Sequence, residues 1–423
     1  MLTRRAVLGS SIFALADSAF AQIPAIAALK SRRGEAKPIS NEERLARVER
    51  AQRLMRQNHL DGIAIGGGSS LFYFSGVRWG VSERLFLMVL PANGDPFFVA
   101  PAFEKGRALE QIAEGAFRKS AQIFTWEEDA SPYETVAMAL KEHGLATGHL
   151  GMEERTPFVF ASGIGKATPA ATFGSATPVT AGCRMIKSAN EIALMRLANS
   201  VTLEAFEAAW KSLREGMSQR EFGDLIAAAH QKLGFPGEAD VLVGQYAALP
   251  HGSRRPQVIR QDTIVLIDGS CTVEGYHSDI TRTFVLGRAS DKMKRVFDIV
   301  REAQSAARAT ARPGAACEAV DAAARKVITE AGYGPGYKYF THRIGHGIGL
   351  DEHEWPYLTA TNTLQEDGRS IGLAANMTFS DEPGIYIPGE FGIRLEDDMH
   401  IGERGAELFT PQSASLEAPF GRG

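Results

Sequence analysis

The sequence predicts two domains of overall α+β class: an alternating α/β first half, then a half in which amphipathic helices accompany turn-separated strands. Three observations carry this. The chain has 423 residues, 44% hydrophobic and 23% charged, which is enough for two sizeable cores. Short apolar runs bounded by Gly, Asn and Asp follow a helical pattern near the start of the first half. A stretch rich in Ala, Gly, Thr and Pro, Ala161 to Gly182, then separates these elements from a strong helical pattern, and this places the boundary near residue 185.

Taken in order, Thr3-Arg4-Arg5 precedes an apolar stretch from Ala6 to Ala16, and Ala19-Phe20-Ala21 is an A-x-A cleavage pattern. Residues 1–21 therefore read as an export signal of the twin-arginine type, with a periplasmic destination expected. No other stretch approaches the roughly 18 apolar residues that span a bilayer, so the mature chain is expected to stay out of the membrane. Residues 22–41, small and charged, are expected to form a flexible lead. Leu45, Val48 and Gln52 to Met55 fall at helical spacing between Glu42 and Asn58, and Asp61-Gly62 ends that helix before Ile63-Ala64-Ile65. Leu71 to Phe74, Leu85 to Leu90 and Pro96 to Val99 read as strands, with Asn93-Gly94-Asp95 as a turn. The first domain is thus expected over 42–185. Leu194, Leu197, Val201, Ala205 and Ala208 open the second, over 186–410, with 411–423 as a tail.

Charge and cysteine usage exclude several functions. Lys plus Arg is 46 against 50 for Asp plus Glu, a net charge of -4 without a basic stripe, so nucleic acid is not an expected partner. Cys183, Cys271 and Cys317 are odd in number and far apart, which fits buried thiols rather than a disulfide framework or a zinc cluster.

The chemistry lies in the second half. Asp268 closes the apolar run Ile264 to Ile267, and Asp279 opens the alternating run Ile280 to Val285, so both acids belong to strands. A reversal at Glu274-Gly275 is expected to set the two aspartates face to face, with Cβ atoms roughly 4.5–5.5 Å apart. Carboxylates that close repel, and a bound cation, shared protons or a turn-capping role would each answer the repulsion. Glu382 and Glu396 repeat the device around a turn at Pro388-Gly389-Glu390, flanked by Ile385 to Ile387 and Ile393 to Leu395. Between the two pairs, Thr341 to His353 holds three of the chain's ten histidines among glycines that permit close backbone approach.

These residues resemble the aminopeptidase P and prolidase group, whose relatives include methionine aminopeptidases and creatinases. The resemblance rests on Leu249-Pro250-His251-Gly252, Leu266-Ile267-Asp268-Gly269 and Asp279-Ile280-Thr281-Arg282-Thr283-Phe284. It continues through Gly345 to Leu350, Glu382-Pro383-Gly384-Ile385-Tyr386 and Gly392 to Asp397. Leu71 to Gly76 and Glu83-Arg84-Leu85 resemble the group's N-terminal domain, so the likeness covers residues 40 to 405. It implies a pita-bread catalytic domain behind a smaller creatinase-like α/β domain.

It further implies hydrolysis of the Xaa-Pro bond, in dipeptides or at peptide N-termini, by a metal-bridging hydroxide. Asp268, Asp279, His346, Glu382 and Glu396 would hold two divalent ions, Mn²⁺ first, with Co²⁺ or Zn²⁺ also suited to this oxygen and imidazole set. Asp279 and Glu396 would bridge, Asp268 would serve one ion, and His346 with Glu382 the other. Glu382 would also move protons, His251 and His353 would contact the scissile group, His342 would line the proline pocket, and Arg394 would brace the ligands or meet a substrate carboxylate. A homodimer or homotetramer is expected. Asp381, beside Glu382, and Gly269-Ser270, after Asp268, depart from the group's usual pattern. A small-molecule lyase or hydrolase on the same scaffold is the competing enzyme reading, and a non-catalytic peptide-binding module is the competing binding reading.

Overall fold

The computed structural model describes residues 23–118, 120–360 and 370–421. The expected export signal, residues 1–21, lies outside the described residues. Contacts divide the chain into two units, one of which is built from Ile39–Met185. Ser40 starts that unit's first helix, Asn41–Gln57, through a capping box in which its hydroxyl accepts the Glu43 N–H while Glu43 returns a bond to the Ser40 N–H. Six strands follow in one sheet: β1 (Gly62–Gly66), β2 (Leu87–Pro91), β3 (Phe97–Pro101), β4 (Gln122–Trp126), β5 (His149–Met152) and β6 (Thr172–Ser175). Their order is β4-β3-β2-β1-β5-β6. Leu87, Phe97, Val99 and Leu140 belong to its continuous core.

Two expectations for this unit are corrected. Leu71 to Phe74 is not a strand but part of a helix, Ser69–Ser75, which ends at Gly76 in the left-handed conformation with φ 83°. Leu71, Tyr73 and Phe74 are all buried, and a short apolar run without alternation looks the same as helix or strand. The Ala161 to Gly182 stretch is not a separator either. It contains the end of the helix Phe158–Ala167, strand β6 and most of the helix Thr177–Arg184. Pro178 sits in the first turn of that last helix, where its missing N–H costs nothing.

The other unit begins at Ile186 and includes the stretch ahead of Ile39. Residues 23–38 are packed rather than loose: Ile26 is fully buried on a one-turn helix, Pro24–Ala27, and the Arg32 N–H donates to Leu233 O at 2.8 Å. The tail is packed as well, because Leu416 is buried and its carbonyl accepts from Val285 N at 2.9 Å. In both places a few apolar anchors outweigh a polar composition. The helices Ala189–Trp210 and Gln219–Leu233 pack on a sheet ordered β10-β8-β7, formed by β7 (Gly237–Val243), β8 (Thr263–Val273) and β10 (Ile280–Leu286), with β9 (Tyr276–His277) extending the hairpin. A five-stranded sheet comprises β11 (His346–Gly347), β12 (Glu354–Tyr357), β13 (Thr378–Asp381), β16 (Asp397–Ile401) and β17 (Ala406–Leu408). The hairpin of β14 (Gly384–Ile387) and β15 (Phe391–Arg394) leads from β13 back to β16. Among the described residues no helix is long and apolar enough to cross a membrane.

The β8–β10 register differs from expectation. The chain does reverse at Glu274-Gly275, both with positive φ (54° and 92°), as a two-residue hairpin turn requires. That turn pairs Val273 with Tyr276 and Asp268 with Thr281, so Asp279 lies two residues from the position opposite Asp268. The aspartates are diagonal neighbours on one face, not direct partners. At the second hairpin the pairs Gly384–Arg394 and Asp381–Asp397 place Glu382 and Glu396 symmetrically, as the sequence implies.

A fully buried ion pair ties the two sheets together. Arg282 on β10 donates to Asp397 on β16 at 2.6 Å and to the Glu396 carbonyl at 2.7 Å, while Thr410 and Gln304 also bond the Asp397 carboxylate. Asp397→Ala would leave the guanidinium without its counter-charge, and urea unfolding is expected to show a loss of about 3–5 kcal/mol.

Candidate metal centre

Each acidic side chain reaches the site because its strand turns it there. On β8, the Asp268 carboxylate lies 3.0 Å from the Thr281 hydroxyl and is also bonded by Arg394. Asp279 stands one residue ahead of β10, its backbone N–H fixed by the Asp398 carboxylate at 2.9 Å. Glu396, just before β16, accepts from the Thr281 hydroxyl at 2.6 Å and donates its N–H to Thr281 O at 3.1 Å. Glu382 follows β13 and accepts from the Ser380 hydroxyl at 3.3 Å.

His346 enters from β11. The glycines around it are required by space: a methyl group at Gly345 would overlap the Ser380 carbonyl, and one at Gly347 would sit 2.6 Å from Glu354 O. The His346 Nδ1 lies 3.1 Å from Gly347 O, so the proton belongs on Nδ1 and Nε2 keeps its lone pair. That lone pair faces carboxylate oxygens of Glu382 at 3.4 Å and Asp279 at 3.7 Å. Burial, with His353 stacked on the ring at 3.7 Å, pushes the imidazole pKa down to about 3, so no proton arrives on Nε2 to relieve the opposition.

The result is a set of acceptors aimed at one another. Ligand atoms of Asp268, Asp279 and Glu396 lie within 4.8 Å of one another, and so do those of His346, Glu382 and Glu396. A third such group joins Asp279 and His346 to His353. Burial pushes the carboxyls of Asp279 and Glu396 well up and that of Glu382 to about 8, with neighbouring carboxylates adding to the shift. A hard divalent cation is the group that satisfies such donors, and the oxygen-rich set with one imidazole fits it.

The remaining predicted residues surround this cluster. His251, His342, His353 and Arg394 all border one cavity of about 850 Å³ together with the five candidate ligands. His251 and His353 are exposed at its wall. His342 bonds the Tyr386 hydroxyl at 2.7 Å and lies edge-on to Phe340. Arg394 is buried and committed to structure: it bonds Asp268, the Thr281 hydroxyl (3.0 Å), Pro250 O (3.1 Å) and the Tyr386 hydroxyl (3.1 Å). Thr281, Ser380, Asp398 and Tyr386 were not singled out from sequence. Thr281 had a usable signal, since it sits two residues after Asp279 and therefore on the same strand face. Asp381, the unusual neighbour of Glu382, is fully buried, with both carboxylate oxygens lacking a hydrogen-bond partner and its pKa well raised by burial.

Comparison with known proteins agrees with this geometry. Residues 193–403 match the model of metallopeptidase family M24, and residues 47–186 match that of the creatinase/prolidase N-terminal domain. An uncharacterized peptidase of Schizosaccharomyces pombe is 33% identical over 86% of this chain and 80% of its own length. The chain belongs to metallopeptidase family M24.

Among solved structures, this metallopeptidase is similar to dipeptidase PepE of Mycobacterium ulcerans, with 32% identity, a TM-score of 0.82 and coverage of 90% of this chain and 100% of that one. It is also similar to an Xaa-Pro dipeptidase of Bacillus anthracis, with 29% identity, a TM-score of 0.74 and coverage of 88% and 99%. The catalytic unit is a pita-bread domain preceded by a creatinase-type domain.

Two outcomes are expected of the metallopeptidase. In the metal-free protein the Glu382 carboxyl titrates near 8 rather than at 4.5, so the folded state holds a proton that the unfolded chain has released. Stability is then lost as pH rises through that range, while the opposing gain from His346 and His342, both depressed, is largely complete by pH 6.5. The Tm of metal-stripped protein should fall between pH 6.5 and pH 8, and added Mn²⁺ should raise it more at pH 8. Thr281→Val removes the hydroxyl shared by Asp268 and Glu396, and metal titration should show affinity lower by about 10–100-fold.

Proposed function

We propose that this metallopeptidase hydrolyses the Xaa-Pro bond of dipeptides or of peptide N-termini at a dinuclear centre. The observation that carries the reading is that Glu396 belongs to two adjoining donor groups, one with Asp268 and Asp279 and one with His346 and Glu382. A single ion needs one such group, and two that share a carboxylate suit two ions. Asp268 would serve the first, His346 and Glu382 the second, and Asp279 and Glu396 both, with Mn²⁺ the favoured metal. When bound, such a pair supplies an acidified water and positive charge for the carbonyl oxygen.

The chain's own groups do the rest. Glu382 takes a proton at its carboxylate and returns it to the departing proline nitrogen. His251 and His353, on the cavity wall, donate to the scissile group as negative charge develops. His342 is pushed down to about 3 by burial and so stays neutral, and its ring, bonded to the Tyr386 hydroxyl, borders the cavity as a wall for a pyrrolidine ring. Arg394 orients Asp268 and leaves substrate binding to other residues. The likeness to an Xaa-Pro dipeptidase supports this substrate class.

Export to the periplasm, from the Thr3-Arg4-Arg5 segment, and assembly as a homodimer or homotetramer belong to the same proposal. Cell fractionation tests the first, and light scattering that finds a strict monomer overturns the second. The deciding measurement is cleavage of Gly-Pro and of a longer Xaa-Pro peptide by metal-stripped protein before and after Mn²⁺. Activity should return with metal and fall by more than about 100-fold in Asp279→Ala. Stoichiometric metal without cleavage would transfer the site to a small-molecule reaction, and no metal uptake would remove the dinuclear centre.

A further inference from the structure

Strand β7 is the outer strand of its sheet and, among the described residues, pairs only with β8. Asp240 lies directly opposite Asp268, and Glu238 directly opposite Ser270. Opposed residues project from the same face with Cβ atoms about 4.5–5.5 Å apart, so both acids stand on the face that carries the metal-centre residues. The next strand completes the row, since Asp268 is opposite Thr281 and Gly269 opposite Ile280. Neither Glu238 nor Asp240 has a hydrogen-bond or ion-pair partner among the described residues, and both are exposed.

Both line the central cavity, where Glu352 is a third exposed acid. Seven carboxylates border that cavity, against two arginines. Two divalent ions would answer the four ligand carboxylates; Arg394 is held on Asp268, and Arg343 lies over the Tyr357 ring at 4.3 Å. Glu238, Asp240 and Glu352 are left facing open volume. Asp268 has those counter-charges, whereas Asp240 opposite it and Glu238 beside it have none, and a cationic ligand would supply one. That a ligand comes here is shown independently: the family cleaves peptides, and the buried His346 and Glu396 aim their lone pairs into the same cavity.

We propose that Asp240 and Glu238 form a specificity wall for a guanidinium or ammonium group on the residue preceding the scissile bond, so that Arg-Pro and Lys-Pro are preferred substrates. This rests on the Xaa-Pro reading above. A long side chain fits better than the α-ammonium alone, because the same two acids also border a second hollow of about 590 Å³ against the helix Gln219–Leu233. Arg220 and Arg254 border that hollow too, with Asp224, so an acidic side chain is the competing occupant.

The test compares kcat/KM of the Mn²⁺-loaded enzyme for arginyl-proline, norleucyl-proline and aspartyl-proline. Arginyl-proline should lead norleucyl-proline by about tenfold, mostly through KM, and the lead should shrink with salt. In Asp240→Asn and in the Glu238→Gln/Asp240→Asn double variant the ratio should fall toward one. A ratio near one in the unaltered enzyme, a preference for aspartyl-proline, or an equal loss on every substrate, which would mean recognition of the α-ammonium, each overturns the proposal. If no Xaa-Pro substrate is cleaved, the parent reading fails, and calorimetric titration with argininamide and norleucinamide still decides the wall. Tighter argininamide binding that Asp240→Asn abolishes upholds it, and equal binding overturns it.

Discussion

Lone pairs crowded against one another, eased in the metal-free protein by protons that burial retains, are the constraint on which the rest of this structure depends. Four carboxylates and the Nε2 of His346 converge from five strands or strand ends, and burial denies most of them the solvent that would separate their charges. Chain segments carrying such groups do not meet unaided. They are held by bonds made outside the cluster: Asp398 to the Asp279 N–H, Thr281 to Glu396, Ser380 to both the His346 N–H and Glu382. A cation then turns a mutually repelling set into a cooperative one, which is why folding and metal uptake are expected to be coupled.

The supporting bonds share a pattern. Arg282 on β10 and Arg394 on β15 are both buried, and each engages at least one carbonyl as well as a carboxylate. Planar guanidinium groups can knit several backbone segments at once, which a lysine ammonium does less well. The catalytic sheets are thus joined through charge as much as through apolar packing, and the Arg282–Asp397 pair places Glu396 by holding its immediate neighbour.

How far this was legible in the sequence depended on the kind of signal. The four acids left a local trace beside apolar runs and three histidines clustered among glycines, but the ligand set and the roles of the cavity-wall histidines came from the resemblance to a known family. Partners that act across sheets left none: nothing adjacent to Asn199 reveals that its amide reaches Asp398, almost two hundred positions away at 2.8 Å. Leu71 to Phe74 was misjudged because a buried apolar run has no period to read, and Ala161 to Gly182 because small residues serve tight packing as readily as linkers. The packed lead and tail were missed for a related reason, since single anchors such as Ile26 and Leu416 vanish in a composition average.

The Glu274-Gly275 turn has an implication for the architecture of the hairpin as a whole. Side chains alternate between faces along a strand, so one added residue in that loop would carry Asp279, Thr281 and Thr283 to the opposite face together. The turn contributes no atom to the centre, yet its length sets which groups do. Most surface hairpins absorb insertions freely; this one works as a spacer of fixed gauge. A tag, reporter or grafted domain would be accommodated far better at a position off the β8–β10 hairpin.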